Sequence, residues 1–458
     1  MTPKTLWVLT EERPKKDVLH YILEKFLSEK CFTATIETLR IIPILDESNF
    51  FTSTYKVAGV VSPQVENIFL KIVSGNSSFV DYLIFFQDAI PNSLDRPLYA
   101  IEETKTDDSE SRNTGVYQRA TKFVYLDLFY PGTEKTMLYN LQVSQKTEAT
   151  KTNIFGTRCF RTLGVELAGK TSNESSISPW KSIEELIDYK SKMRRPPKGN
   201  VPILIQQVDD DLITVSGKLI KNKGLSHDPN IGAISLISAT LRKLGWEERI
   251  KITNHGLNKR IVKGSNKFVQ IANHLNIELD GIPVPEAINP AQYWRYENTG
   301  EKIGTIFIHL TVEEFSNGRT VYENHAGCER GYFKTADDKP LAVKKKLKNA
   351  KIAIPDLIIR DTTRLEIINI EGERSVNVLE GIEQLDTFKN IELAYVGKYY
   401  PTYKILRTVV LYGGTDETIK NSDVSISLNE NGKIVLGTKV PTIFKDAINN
   451  LISYWQTS

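Results

Sequence analysis

Apolar positions along this chain follow two rhythms, a helical one and a strand one, and their alternation predicts a mixed α/β protein. Leu6–Leu9 is a short apolar run with the length of a strand, and after Pro14 the residues Val18, Ile22, Leu23 and Phe26 fall at helical spacing. Stretches rich in β-branched and aromatic residues follow at Cys31–Ile42, Asn67–Val73, Asp81–Phe86 and Leu98–Ile101. Val116, Ala120, Phe123 and Val124 share one helical face and predict a helix over Gly115–Leu126. Further on, His227–Gly232 reads as a turn into a helix over Ala233–Leu244, with Ile234, Ile237, Leu241 and Leu244 on its apolar face and Gly245 as its stop. Arg249–Ile252 is strand-like, as are Leu357–Ile359 and Leu365–Ile370, and Gly381–Phe388 is apolar at helical spacing.

The candidate chemistry sits at the ends of these strands. Asp81 heads one strand, and Ile101-Glu102-Glu103-Thr104-Lys105 closes the next. On a strand Glu103 and Lys105 project from the same face, so pairing of the two strands brings Asp81, Glu103 and Lys105 together. Two carboxylates supply the hard oxygen ligands a divalent cation needs, and a lysine can orient or help deprotonate a water attacking a phosphodiester.

These residues resemble the PD-(D/E)XK nuclease superfamily, which includes most type II restriction endonucleases, although Val80 stands where the motif name has proline. The resemblance implies a central mixed sheet flanked by helices, with the catalytic residues on adjacent strands. It also implies a helix after the lysine strand carrying a polar helper, and Gln118 falls there. Asp81 and Glu103 are then the expected Mg²⁺ ligands, with Mn²⁺ able to substitute. Lys105 and Gln118 complete the first expected site.

A second stretch repeats the layout. Pro355-Asp356 supplies the proline and aspartate literally, and Leu365–Ile370 leads into Glu371-Gly372-Glu373-Arg374. Some enzymes of the resembled family carry a second glutamate in place of the lysine, so Asp356, Glu371 and Glu373 form a second expected site, with Asp356 and Glu371 as metal ligands and Gln384 on the following helix. The order of elements is the same in both stretches, but the register differs. Alignment on Ile101 and Ile370 pairs Glu371 with Glu102, and Arg374 with Lys105.

A chain of 458 residues exceeds what one core normally serves. The polarity shifts divide it into an N-terminal nuclease module over residues 1–163, a basic linker or recognition segment over 164–224, and a C-terminal nuclease-like module over 225–458 with inserted target-reading elements. Ile303–Val312 and Val321–Phe333 are candidates for those elements, and the basic run Lys190–Asn200 for phosphate contact. Hydrophobic residues at 40% and charged residues at 25% are ordinary for a folded protein, so disorder is not the default. A net charge of +3 permits a polyanionic partner without requiring one.

Three scattered cysteines suggest neither a disulfide framework nor a zinc site, and no signal peptide or membrane span is visible, so a cytoplasmic protein is expected. His325 and Cys328 sit in an Asn-His context, but the further histidine of a His-Asn-His nuclease is missing. His227 and His255, beside proline or glycine, suggest turn or capping roles. No Gly-x-x-x-x-Gly-Lys-Ser/Thr loop appears, so ATP is not expected.

The combined expectation is Mg²⁺-dependent, sequence-specific cleavage of double-stranded DNA by a type II restriction endonuclease with two nuclease-like modules. The chain would act as a pseudo-dimeric monomer or a homodimer, with both sites working and a companion methyltransferase as functional partner. The alternatives are a repair, transposition-associated or modification-dependent nuclease, or a non-cleaving DNA-binding protein on a decayed nuclease fold.

Overall fold

The computed structural model describes residues 3–75, 78–103, 115–139, 151–169, 177–193, 203–217, 229–297, 300–324, 332–343, 346–347, 350–351, 353–414 and 418–457. It is a mixed α+β protein of two compact units. One comprises Met1–Ser74, Phe86–Ile90 and Tyr296–Ser458, the other Gly75–Phe85 and Pro91–Arg295. These units divide the chain elsewhere than at residues 163 and 225, because the N-terminal elements pack against the C-terminal ones.

The N-terminal elements begin with β1 (Thr5–Thr10), whose residues are all buried. Helix α1 (Lys16–Glu29) follows Pro14 and buries Val18, Leu19, Ile22, Leu23, Phe26 and Leu27, a stripe at helical spacing. Strands β2 (Thr35–Leu45) and β3 (Phe51–Val61) pair antiparallel, and β3 pairs antiparallel with β4 (Asn67–Gly75). Strand β1 lies parallel to β4, with Thr5 opposite Asn67.

The second unit contains a hairpin, β5 (Tyr82–Phe86) antiparallel to β6 (Tyr99–Glu103). Helix α2 (Gly115–Phe129) crosses from β6 to the parallel strand β7 (Glu134–Leu138), and α3 (Lys151–Thr162) crosses from β7 to parallel β8 (Val165–Ala168). The polar stretch 164–224 is therefore not a linker throughout. Besides β8 it holds α4 (Ile183–Ser191), whose Glu185 N–H donates to the Ser182 hydroxyl in an N-cap, and the antiparallel pair β9 (Leu204–Asp209) and β10 (Leu212–Ser216). Strand β10 continues in parallel to β11 (Arg249–Thr253), which lies parallel to β12 (Ile277–Leu279). Helix α5 (Pro229–Lys243), with Ile231, Ile234, Leu236, Ile237 and Leu241 buried, packs on α2 and α3, and α6 (Lys267–His274) packs on α2 and α5.

The first unit resumes with α7 (Lys302–Phe315), in which every residue from Ile303 to Val312 is buried. That burial removes Ile303–Val312 from any target-reading role. A helix sheathed on all sides is a core element, and α7 packs on β2 as well as on the C-terminal sheet. That sheet runs in the order β13 (Gly318–Glu323), β14 (Leu357–Asp361), β15 (Glu366–Arg374), β16 (Lys404–Tyr412), β17 (Val424–Leu428), β18 (Ile434–Leu436). Strand β14 is antiparallel to its neighbours β13 and β15, whereas β15, β16 and β17 are mutually parallel.

Strand alternation sorts the apolar residues of this sheet onto two faces. Leu357, Ile359, Ile368, Ile370 and Val410 cluster with α7 and with α9 (Thr442–Thr457), while Ile358, Ile367, Val409 and Leu411 cluster with the helical segment after β15, including Phe388 and Tyr395. That segment opens with α8 (Val378–Leu385). No helix among the described residues is long and apolar enough to cross a membrane.

Candidate functional site

In the C-terminal hairpin Leu357 pairs with Ile370, so Asp356, one residue ahead of β14, stands opposite Glu371. A backbone hydrogen bond ties them, the Gly372 N–H donating to Asp356 Oδ2 at 3.0 Å. Glu371 and Glu373, two apart on β15, share the face covered by α8 and are buried.

Two glycines let neighbouring helices close on this strand end. A Cβ on Gly372 would lie 2.4 Å from Thr305 Cγ2 of α7, and one on Gly381 of α8 would lie 2.5 Å from Glu373 Cγ.

Acidic neighbours dominate the electrostatics, with Arg374 and Lys302 acting against them only at Glu301. Burial first, then the charges of Glu301 and Glu373, push the Asp356 carboxyl well above the usual carboxylate range, against the Gly372 N–H. Glu371 is driven up by burial, then by Asp356 and Glu373. Glu373 is pushed up to about 7 by burial, then by Glu301 and Glu380. Glu301, just ahead of α7, is itself raised, chiefly by burial. Among the described residues no lysine or arginine forms an ion pair with Asp356, Glu371 or Glu373, and Glu371 Oε2 is buried without a hydrogen-bond partner. Gln384 lies half-buried on α8 without a hydrogen bond to these carboxylates.

The Asp81 hairpin is built the same way. Tyr82 pairs with Ile101, placing Asp81 opposite Glu102. The Glu103 N–H donates to Asp81 Oδ2 at 2.7 Å, and the Asp81 N–H donates to Glu102 Oε2 at 3.3 Å. The carboxylate set beside Asp81 is thus that of Glu102. Glu103 contributes its backbone N–H, and strand alternation directs its side chain to the opposite face. Lys105 lies outside the described residues, and of Gln118 only the helical backbone is described.

The surroundings of Glu102 differ from those of Glu371. Helix α2 brings Lys122 Nζ to 2.7 Å from Glu102 Oε1 and 2.8 Å from Oε2, and Arg119 Nε to 3.5 Å from Oε1. Burial and then Asp81 push Glu102 up to about 8, against Lys122 and Arg119. Burial opposes the charge on Lys122 too, but Glu102 and Asp81 outweigh it and raise its ammonium. Lys267, buried at the start of α6, is lowered to about 7 by burial and by Lys122, with Glu102 opposing.

Glu102, Lys122, Arg119 and Glu301 stand outside the Asp…Glu-x-Lys spacing. The available signal was the alignment on Ile101 and Ile370, whose pairing of Glu102 with Glu371 coincides with the two hairpin registers. Lys122 had a second signal, since it lies four residues after Gln118 and so on the same helical face.

Of the histidines, His255 is held in a turn, Nε2 bonded to the Asp280 carbonyl at 2.8 Å and Nδ1 accepting from the Leu257 N–H. His227, His325 and Cys328 lie outside the described residues, as does 194–200 of the basic run. Among the described residues no group of three or more His, Cys, Asp or Glu is arranged to hold a metal ion. Comparison of the chain with protein-family models, with curated proteins and with solved structures returns no match to any of them.

Proposed function

We propose that this chain is a Mg²⁺-dependent nuclease that cleaves double-stranded DNA at a specific sequence, a restriction endonuclease of the type II kind acting without ATP. The observation that supports it most is the device found in both units. An aspartate just ahead of a strand accepts the N–H of the residue that follows a glutamate on the antiparallel partner, and a helix from that partner covers the glutamate's face.

Asp356 and Glu371 would hold the metal. Buried carboxylates raised by burial and by one another are a poor resting arrangement for the protein alone, and Glu371 Oε2 lacks any partner. Mg²⁺ commonly binds through only one or two carboxylates and keeps several waters, so a pair suffices where the described residues hold no three-residue group. The bound ion would supply Lewis acidity at the phosphate and a more acidic water. Glu373, on the same strand face and raised to about 7, is suited to take a proton from the attacking water at neutral pH.

The test is incubation of the purified chain with a sequenced supercoiled plasmid, with Mg²⁺ or with excess chelator, and mapping of any ends. Discrete ends formed only with Mg²⁺ support the reading, and full activity in chelator rejects it. The ion pairs on Glu102 favour a second reading, a DNA-binding protein that does not cut. Salt-sensitive duplex binding without cleavage in Mg²⁺ or Mn²⁺ would select it.

A further inference from the structure

We propose that only the Asp356 site takes a divalent metal, and that the Asp81 site is closed to metal because Lys122 and Arg119 already stand where the cation would be. The assignment rests on the nuclease reading above.

The two hairpins share strand polarity, register and the hydrogen bond from the N–H after the glutamate to the aspartate, so one carboxylate in each can be compared with the other directly: Glu102 with Glu371. What differs is the helix laid over it. Helix α2 contributes an ammonium that spans both Glu102 oxygens at 2.7 and 2.8 Å, with a guanidinium at 3.5 Å, and the Asp81 N–H occupies Oε2 at 3.3 Å as well. A divalent ion needs oxygen ligands at about 2.0–2.6 Å. It would have to displace Lys122 and then stand beside Lys122, Arg119 and the buried Lys267.

Helix α8 contributes the opposite. Its residue against Glu373 is Gly381, and the charge it adds is that of Glu380. Glu371, only 7% exposed, keeps Oε2 without a partner among Asp356, Glu373 and Glu301. One site therefore carries its own counter-charge, whereas among the described residues no cation is paired with Asp356, Glu371 or Glu373, and Arg374 offsets only the neighbouring Glu301.

Mn²⁺ titration of the full chain, followed by electron paramagnetic resonance and competed with Mg²⁺, decides the matter. The expected result is one Mn²⁺ per chain, lost in Glu371→Gln and kept in Glu102→Gln. Two ions in the unmodified chain overturn the proposal, as does loss in Glu102→Gln with retention in Glu371→Gln. The stoichiometry of the unmodified chain stands even if a variant fails to fold. No bound ion would overturn the metal reading itself and this assignment with it, whereas two ions would overturn this assignment and leave that reading standing.

Discussion

At Gly372 a single methyl group separates two roles of the strand. The glycine lets α7 approach closely enough that any Cβ would fall 2.4 Å from Thr305 Cγ2 and 3.2 Å from Asp356 Oδ2. Gly372→Ala should therefore destabilise the chain by about 1–3 kcal/mol, the usual cost of overpacking. Adding Thr305→Ser, which removes the methyl, should recover most of that loss in a denaturant midpoint. The carboxylates beside it behave differently. Asp356→Ala or Glu371→Ala should slow Mg²⁺-dependent cleavage by roughly a hundredfold or more, since metal assistance is worth several kcal/mol of transition-state stabilisation. Duplex affinity should change little, because it comes mainly from phosphate and base contacts. Plasmid-cleavage rates and binding isotherms, compared with the unmodified chain, check both halves; near-normal cutting by both variants would remove this pair from catalysis.

At the scale of elements, α7 is held by an acid-base cluster as well as by apolar packing. Arg13 donates to Glu313 at 3.0 Å and to Glu323 at 2.6 Å, and buried His309 lies 3.4 Å from Glu313. Burial alone would raise Glu313, but Arg13 and His309 outweigh it and hold the carboxyl well below its ordinary 4.5. The unfolded chain then binds this proton more tightly than the folded one. Its contribution to stability is full above the unfolded value and is lost as pH falls through the folded one. Glu313→Gln should thus flatten the acid limb of stability below about pH 4.5 while leaving its slope near neutrality unchanged, as read from thermal melts across pH.

Which elements were legible follows from the same physics. Helices α1, α2 and α5 and strands β1, β4 and β11 follow their local periodicity because each buries one face or a whole short run. The Ile303–Val312 segment of α7 gives no sign in the sequence of its place in the core, because a helix buried on every side has no polar stripe to announce it. The choice between Glu102 and Glu103 could not be made from spacing, because adjacent residues on a strand face opposite ways and only the hairpin register selects one. Lys122 was legible only as a neighbour of Gln118 on one helical face, not as a partner of Glu102. It reaches Glu102 through a helix-on-sheet contact rather than along one strand.

On the scale of the whole molecule, the unit that contains Asp356 is assembled from the two ends of the described chain. Arg40 donates to Glu314 at 3.3 Å, Trp455 Nε1 donates to the Pro43 carbonyl at 2.7 Å, and Phe51 meets Phe307 with ring centroids 4.9 Å apart. A variant lacking residues 1–74 should therefore lose the cooperative unfolding of 296–458. Adding that segment back as a separate polypeptide should restore part of it, measured by protection of Trp455 fluorescence or backbone amides. Independent folding of 296–458 with native protection would contradict the shared core.

This discontinuity sets a timetable for synthesis. Strand β2 leaves the ribosome early, but its partners α7 and α9 emerge only after more than half of the chain has followed. At roughly 5–20 residues per second that interval lasts on the order of tens of seconds. Helix α7 precedes Asp356 and Glu371 along the chain, but α8 and β16, which flank β15, follow them, so the site is enclosed only once residue 412 has emerged. A chain interrupted before β16 would thus carry the sequence of the acidic site without its assembled form, and the proposed nuclease would stay inert until that strand had been made.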